Sequence, residues 1–356
     1  MCAHTERMEK MKFKTCTALS IFLVATALFL PGSLEGAEKG GTFSIYFEND
    51  LFAHTDQYYT NGTKISWVSP DLTDYAKSRK LPAWALPLVY KLPFINDPGL
   101  QRNVVLSLGQ NMYTPKDISR KDLVVGDRPY AGWTYCGVAF QSKNERRLDS
   151  MEIQLGMIGP LSFAEQTQKF VHRLRGCQLP NGWDNQIKNE PGLAVVYERK
   201  WRLLRKSLLG RFGFDTITHL GGALGNVYTY ANTGMEARLG WNIPLDFGAS
   251  LIRPGGDTNA PANQQDPRFT HHEPFCLNLF ACFDGRGVLR NMFLDGNTFT
   301  SSYSVDKKYF VADFVWGVSM ILYGYKISLA RALRTKEFKG QEDNQSFGSI
   351  TLSYTW

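Results

Sequence analysis

A histidine, a carboxylate, an amide and a hydroxyl stand in this sequence where strands and one helix end, and together they suit hydrolysis of an ester. The stretch FSIYFENDLF, Phe43 to Phe52, alternates Phe43, Ile45 and Phe47 with Ser44, Tyr46 and Glu48 until Asn49 and Asp50 interrupt it. Thr60 opens the next alternating run, and His172 lies in SFAEQTQKFVHRLRG, Ser162 to Gly176. Histidine side chains ordinarily titrate near neutrality, so His172 can serve as general base for water. Asp50 can help hold a divalent cation that polarises a carbonyl. The segment Ser119-Arg120-Lys121 offers positive charge to an anionic ester. Plainer readings stand beside these: Asn49 and Asp50 as the start of a polar loop, His172 as one surface histidine on a lid helix.

The elements that must position these residues are mostly strands. Alternation and turn residues predict twelve, near 42–50, 59–69, 103–112, 130–141, 149–158, 192–203, 209–221, 233–243, 274–283, 308–320, 323–334 and 347–356. Lengths of about ten residues suit tilted strands of a transmembrane barrel, and an even count returns both termini to the periplasmic side. The last run, FGSITLSYTW, ends on an aromatic in its apolar face, as closing strands of outer-membrane barrels do. In this topology Asn49, Asp50, Thr60, Arg120, Lys121 and His172 all fall on the extracellular side. Two inward connections, 70–102 and 244–273, are too long for turns and carry several prolines. Either they are periplasmic excursions or the strand count is off by a pair.

One loop carries a helix. Ser162 and Glu165 form a capping box, and Gly176 is a C-terminal cap. Phe163, Phe170, Val171 and Leu174 make an apolar stripe, with Gln168, His172 and Arg175 on the neighbouring polar face. At Phe47–Asp50, strict alternation turns Asn49 outward and Asp50 inward. Both can serve one site only if the strand twists or bulges there, or if the pair already belongs to the loop.

Composition agrees with a β-rich barrel: 13% aromatics, 32 glycines and no run of 18 apolar residues. Lys10, Lys12 and Lys14 precede the apolar run Ala18 to Leu30, which reads as a signal peptide over residues 1–36, leaving one barrel domain over 37–356. The formal charge of +7 is compatible with an anionic membrane surface, and no basic cluster argues for nucleic acid. Cys136, Cys177, Cys276 and Cys282 have neither zinc spacing nor a spacing that requires a disulfide.

The chain resembles the outer-membrane lipid A 3'-O-deacylases of the LpxR type. The matching segments are ENDLF at 48–52, YYTNG at 58–62, LGQNMYTP at 108–115, GDRPYAGW at 126–133, GMIGPLSFAEQTQKFVHRLRG at 156–176 and PNGWDNQIKNEPG at 180–192. The resemblance implies a twelve-stranded barrel that uses calcium (Ca2+) to remove the 3'-linked acyloxyacyl chain of lipid A, with its site between the wall and an extracellular helix. It implies lipid A or lipopolysaccharide as substrate and outer-membrane lipids as surroundings; the resemblance does not fix the oligomeric state, and a monomer is the working expectation. Carried over by motif, Asn49, Asp50, Thr60 and His172 fall on active-site positions, with His172 as base and Asp50 as calcium ligand. Arg120 and Lys121 are approximate equivalents of a substrate-binding basic pair.

Other features have weaker claims. Asp127 and Arg128 read as a structural turn, Trp183, Asp184 and Gln186 as loop scaffold, and His271-His272-Glu273 as a metal cluster in form only. A phospholipase would use a serine, yet Ser119 and Ser162 lack a motif. A porin or structural barrel gives END and His172 no reason to coincide, and twelve strands enclose little space for a pore.

Overall fold

The computed structural model describes residues 40–50, 58–72, 86–92, 94–97, 99–249, 251–270 and 274–356. The signal-peptide region and His271-His272-Glu273 lie outside the described residues. Alternating inward polar and outward apolar side chains build twelve antiparallel strands that close into one barrel. They are β1 (Thr42–Asn49), β2 (Tyr58–Val68), β3 (Gln101–Thr114), β4 (Ala131–Lys143), β5 (Arg147–Ile158) and β6 (Glu190–Leu209), then β7 (Phe212–Gly225), β8 (Tyr228–Trp241), β9 (Cys276–Asn291), β10 (Phe310–Leu322), β11 (Tyr325–Arg334) and β12 (Gln345–Thr355).

The expected count of twelve holds, while several strands are longer than the alternation suggested. The connection expected over 222–232 shrinks to Asn226 and Val227 because β7 and β8 run on to Gly225 and Tyr228. There the ladder continues through glycines and polar residues that no apolar alternation marks.

In β1 the inward Thr42, Ser44, Tyr46 and Glu48 are all buried. Outward positions such as Leu106, Leu108, Val138, Ile153 and Leu155 remain exposed and form an apolar belt suited to lipid. First and last strands zip together: Gly40 donates its N–H to the Trp356 carbonyl, and the Thr42 and Thr355 hydroxyls lie 3.0 Å apart. The Trp356 indole lies against Gly41, where a Cβ would meet it at 2.4 Å.

Both long connections are real, and among their described residues neither holds a further strand. The chain between β8 and β9 folds back into the lumen as a plug. Its Asp257 accepts from Tyr46 at 3.0 Å and from Lys64 at 2.6 Å, both on the wall. Its Arg253 pairs with Glu198 at 2.6 Å, and its Ile252 N–H reaches Glu48 at 2.8 Å. Asp246 gathers wall residues Arg238 at 2.6 Å and Lys326 at 2.7 Å, together with the plug's own Arg268 at 3.1 Å. Buried charge requires such pairing, which explains why so polar a segment can fill a barrel. In the 70–100 connection, helix α1 (Leu86–Val89) and the described residues beside it pack on the outside. Leu72, Val89, Phe94 and Ile95 cluster there against the outward Phe140, Met151 and Tyr197.

The remaining long helix, α2 (Ala164–Arg175), follows a short 3-10 turn, Pro160–Ser162, after β5. The end of the barrel that carries it is called the helix end below. No described helix is long and apolar enough to cross a membrane.

Candidate active site

Helix α2 lies on the outer face of β3 and β4 with its polar side turned inward. Outward Gln110 and Thr134 both donate to the Ser162 carbonyl, at 2.7 Å and 2.6 Å. Gly132 permits the contact, since a Cβ there would come 2.3 Å from the Ala164 Cβ. Ala164, Gln168 and His172 are buried at spacings of four, while Phe163, Phe170 and Leu174 are more than half exposed. The expected apolar stripe therefore exists but faces away from the protein, directly above the apolar belt.

The expected capping box is absent. The Ser162 hydroxyl donates to the Gly159 carbonyl at 2.6 Å, and Glu165 pairs with Lys169 one turn on. Phe163 adopts a left-handed conformation, φ 57°, which redirects the chain from the 3-10 turn into the helix. Gly176 does cap the C-terminus, with φ 60° and its N–H directed to Arg173 and His172 carbonyls.

His172 is held rather than mobile on a surface: it is 6% exposed, and its Nδ1 lies 2.5 Å from the Gln178 carbonyl. That contact orients the ring. One turn earlier, the Trp183 indole N–H donates to Gln168 Oε1 at 2.7 Å. An indole nitrogen can only donate, so this bond fixes the amide orientation. Gln168 Nε2 is then buried with no hydrogen-bond partner among the described residues. Motif reading left Gln168 as one polar residue among three; the buried indole beside it is what singles it out.

Asn49, Asp50 and Thr60 reach the same end of the wall. Asn49 closes β1 on its outward side, 6% exposed, and donates its Nδ2 to the Thr60 carbonyl at 2.9 Å. Asp50 follows it and is fully buried. The expected irregularity lies on the neighbouring strand. The β1 register is regular through Asn49, whereas β2 bulges against β3 between Tyr59 and Asn61, with Thr60 the extra residue. The bulge sends Tyr59 inward to Glu48 at 2.9 Å, and Thr60 to outward Thr114, hydroxyls 2.7 Å apart. Met112, two residues before Thr114 on β3, packs with Ala164 and Trp183.

Arg120 and Lys121 are exposed on the loop after β3. Their loop is tied to the segment after α2: Asn181 and Asn185 donate to the Ser119 and Lys121 carbonyls at 3.0 and 2.7 Å. Arg128 is fully buried, pairs with Glu337 at 3.2 Å and stacks over Tyr113, the structural role expected of its turn. Burial raises the pKa of neighbouring Asp127. Trp183 is buried and packs on Tyr130, again as scaffold. The four cysteines form no disulfide.

The whole barrel is similar to solved structures. LpxR from Salmonella typhimurium shares 17% identity with a TM-score of 0.69, covering 88% of this chain and 100% of that one. The β domain of the Bordetella autotransporter BrkA shares 9% identity with a TM-score of 0.42, over 90% of this chain and 100% of that one. No curated protein matches the sequence. The family model described as outer membrane protein LpxR matches residues 15–356. The chain belongs to the LpxR family of outer membrane proteins.

Proposed function

We propose that this protein is an outer-membrane hydrolase that removes the 3'-O-linked acyloxyacyl chain from lipid A, with the helix end facing the extracellular leaflet. The observation that supports it most is the inverted helix: Gln168 and His172 are buried on the face that α2 turns to β3 and β4, at the end of the wall that also carries Asn49, Asp50 and Thr60. A site between helix and wall would face the belt, where an ester inside a leaflet would arrive.

In this reading His172 takes the proton of the attacking water, and the same proton passes to the departing sugar oxygen, leaving a free fatty acid. Gln168 Nε2 donates to the carbonyl oxygen as negative charge develops on it. Arg120 and Lys121 meet the anionic head of the substrate. Among the described residues no three His, Cys, Asp or Glu side chains gather to hold a metal. A cation at Asp50 would thus take one carboxylate and neutral oxygens, such as the Asn49 amide and Thr60 hydroxyl. Oxygen donors of that kind fit a hard ion such as calcium, which when bound would polarise the ester carbonyl.

The test is the mass of lipid A from cells that make the hexa-acylated form and express the protein. A loss equal to one acyloxyacyl chain is expected, and its absence with the barrel folded would sink the reading. His172→Ala should slow the loss by about 10²- to 10⁴-fold. If that variant keeps full activity, the hydrolase stands and the assignment of the base fails.

A further inference from the structure

Away from helix α2, the outer surface formed by β7 to β10 sinks instead of bulging. Register sets Ala231 beside Gly287 and Gly287 beside Phe310. One row further from the helix end, Thr233 lies beside Gly285 and Gly285 beside Ala312. These positions point outward, in a belt that elsewhere carries leucine, valine and phenylalanine. The small residues leave a lateral groove of about 810 Å3, bounded by Leu220, Phe283 and Phe310. That volume lies within the range of ligand pockets, about 300–1,000 Å3. Packing does not demand the glycine at 287: a Cβ there would meet only Phe310, at an ordinary 3.9 Å.

Lys308 and Lys336 line the same groove. Cations close by are matched: Lys307 with Asp295 at 2.8 Å, Lys339 with Asp306 at 3.1 Å and Arg334 with Asp313 at 2.8 Å. Neither Lys308 nor Lys336 forms an ion pair among the described residues. Two unmatched ammonium groups over an apolar trough in the belt complement a molecule with an anionic head and a hydrocarbon tail.

We propose that this groove is a binding site for a phosphorylated lipid of the leaflet at the helix end, separate from the crevice beneath α2. One acyl chain lies over Ala231, Gly285, Gly287 and Ala312, and the phosphate sits between Lys308 and Lys336. Under the orientation proposed above, that lipid is lipid A itself, held without being cleaved.

Native mass spectrometry of the full chain in detergent, with bisphosphorylated lipid A as probe, tests this. A His172→Ala background prevents turnover. Adding Lys308→Ala with Lys336→Ala should remove one bound lipid and weaken its binding at least tenfold. Gly287→Leu, which fills the trough without touching the lysines, should do the same. Lipid A stripped of its phosphates should bind alike to the background and to the double-lysine variant. Unchanged lipid count and affinity in both groove variants would overturn the site, and loss of phosphate-free lipid A in the double-lysine variant would overturn the phosphate assignment. With His172 intact, the groove variants should still deacylate lipid A. Failure of the wild type to deacylate would instead count against the proposed reaction and leave the lipid count to decide the groove.

Discussion

Gln168 shows how a single hydrogen bond can turn an ordinary amide into a committed donor. Trp183 occupies its oxygen, so its buried nitrogen has no hydrogen-bond partner among the described residues. Gln168→Glu preserves an acceptor for the indole while removing the donor. Lipid A turnover is expected to fall about 10²-fold, the usual cost of losing one oxyanion donor, in folded protein held well below its unfolding temperature, which the buried carboxyl lowers. Full turnover in that folded protein would mean that Gln168 only supports the fold. Trp183→Phe is the complementary change. It leaves Gln168 Oε1 buried without its donor, at a cost of about 1–3 kcal/mol, read as earlier urea unfolding. Nothing in the sequence marks Gln168 above other polar helix residues, because its role depends on a tryptophan in the following loop. His172 was easier to find, since its side-chain chemistry alone recommends it.

At the scale of elements, strands were legible and their irregularities were not. Alternation located all twelve, because a wall with lipid on one side and polar filling on the other imposes period two. It could not locate the bulge at Thr60, which depends on how β2 and β3 meet. Nor could it orient α2. In a water-soluble domain an apolar stripe turns inward; here Phe163, Phe170 and Leu174 turn out toward the belt, and the polar stripe becomes the packed one. The joint between helix and wall is Gly132. Gly132→Leu would drive a side chain into Ser162 Oγ and the Ala164 Cβ, both within 2.3 Å of the first added carbon. The expected result is a folded barrel, still shifted by heating on gels, whose turnover is lost because α2 has been levered off the wall. Full activity would show that the crevice tolerates a wider gap than the packing suggests.

The plug governs the molecule as a whole. The sequence exposed its length and prolines but not its destination, since Arg253, Asp257 and Asp246 find Glu198, Lys64 and Lys326 on the wall, tens of residues away. Asp246 is the clearest case, with Arg238, Arg268 and Lys326 around one fully buried carboxylate. Asp246→Ala would leave three cations facing one another in a confined space. A loss of about 3–5 kcal/mol is expected, seen as a lower temperature for the heat-induced gel shift. A filled lumen also bears on conduction. A cavity between the plug's Ile252 and Arg253 and wall residues such as Tyr113 and Tyr230 holds about 60 Å3, room for a few waters. With the plug paired to the wall beneath it, bilayer recordings should show no steady open channel.

The zipper between the first and last strands has a consequence for how the molecule is made. The hydroxyls that meet there are 313 residues apart in sequence, by far the longest loop any pairing in the barrel must close. Hairpin after hairpin can form locally, but this junction waits for nearly the entire polypeptide, and the plug must already lie inside when it shuts. Assembly should therefore be all-or-none at its final step: an incomplete chain is an open, sticky ribbon, and a complete one is a sealed vessel.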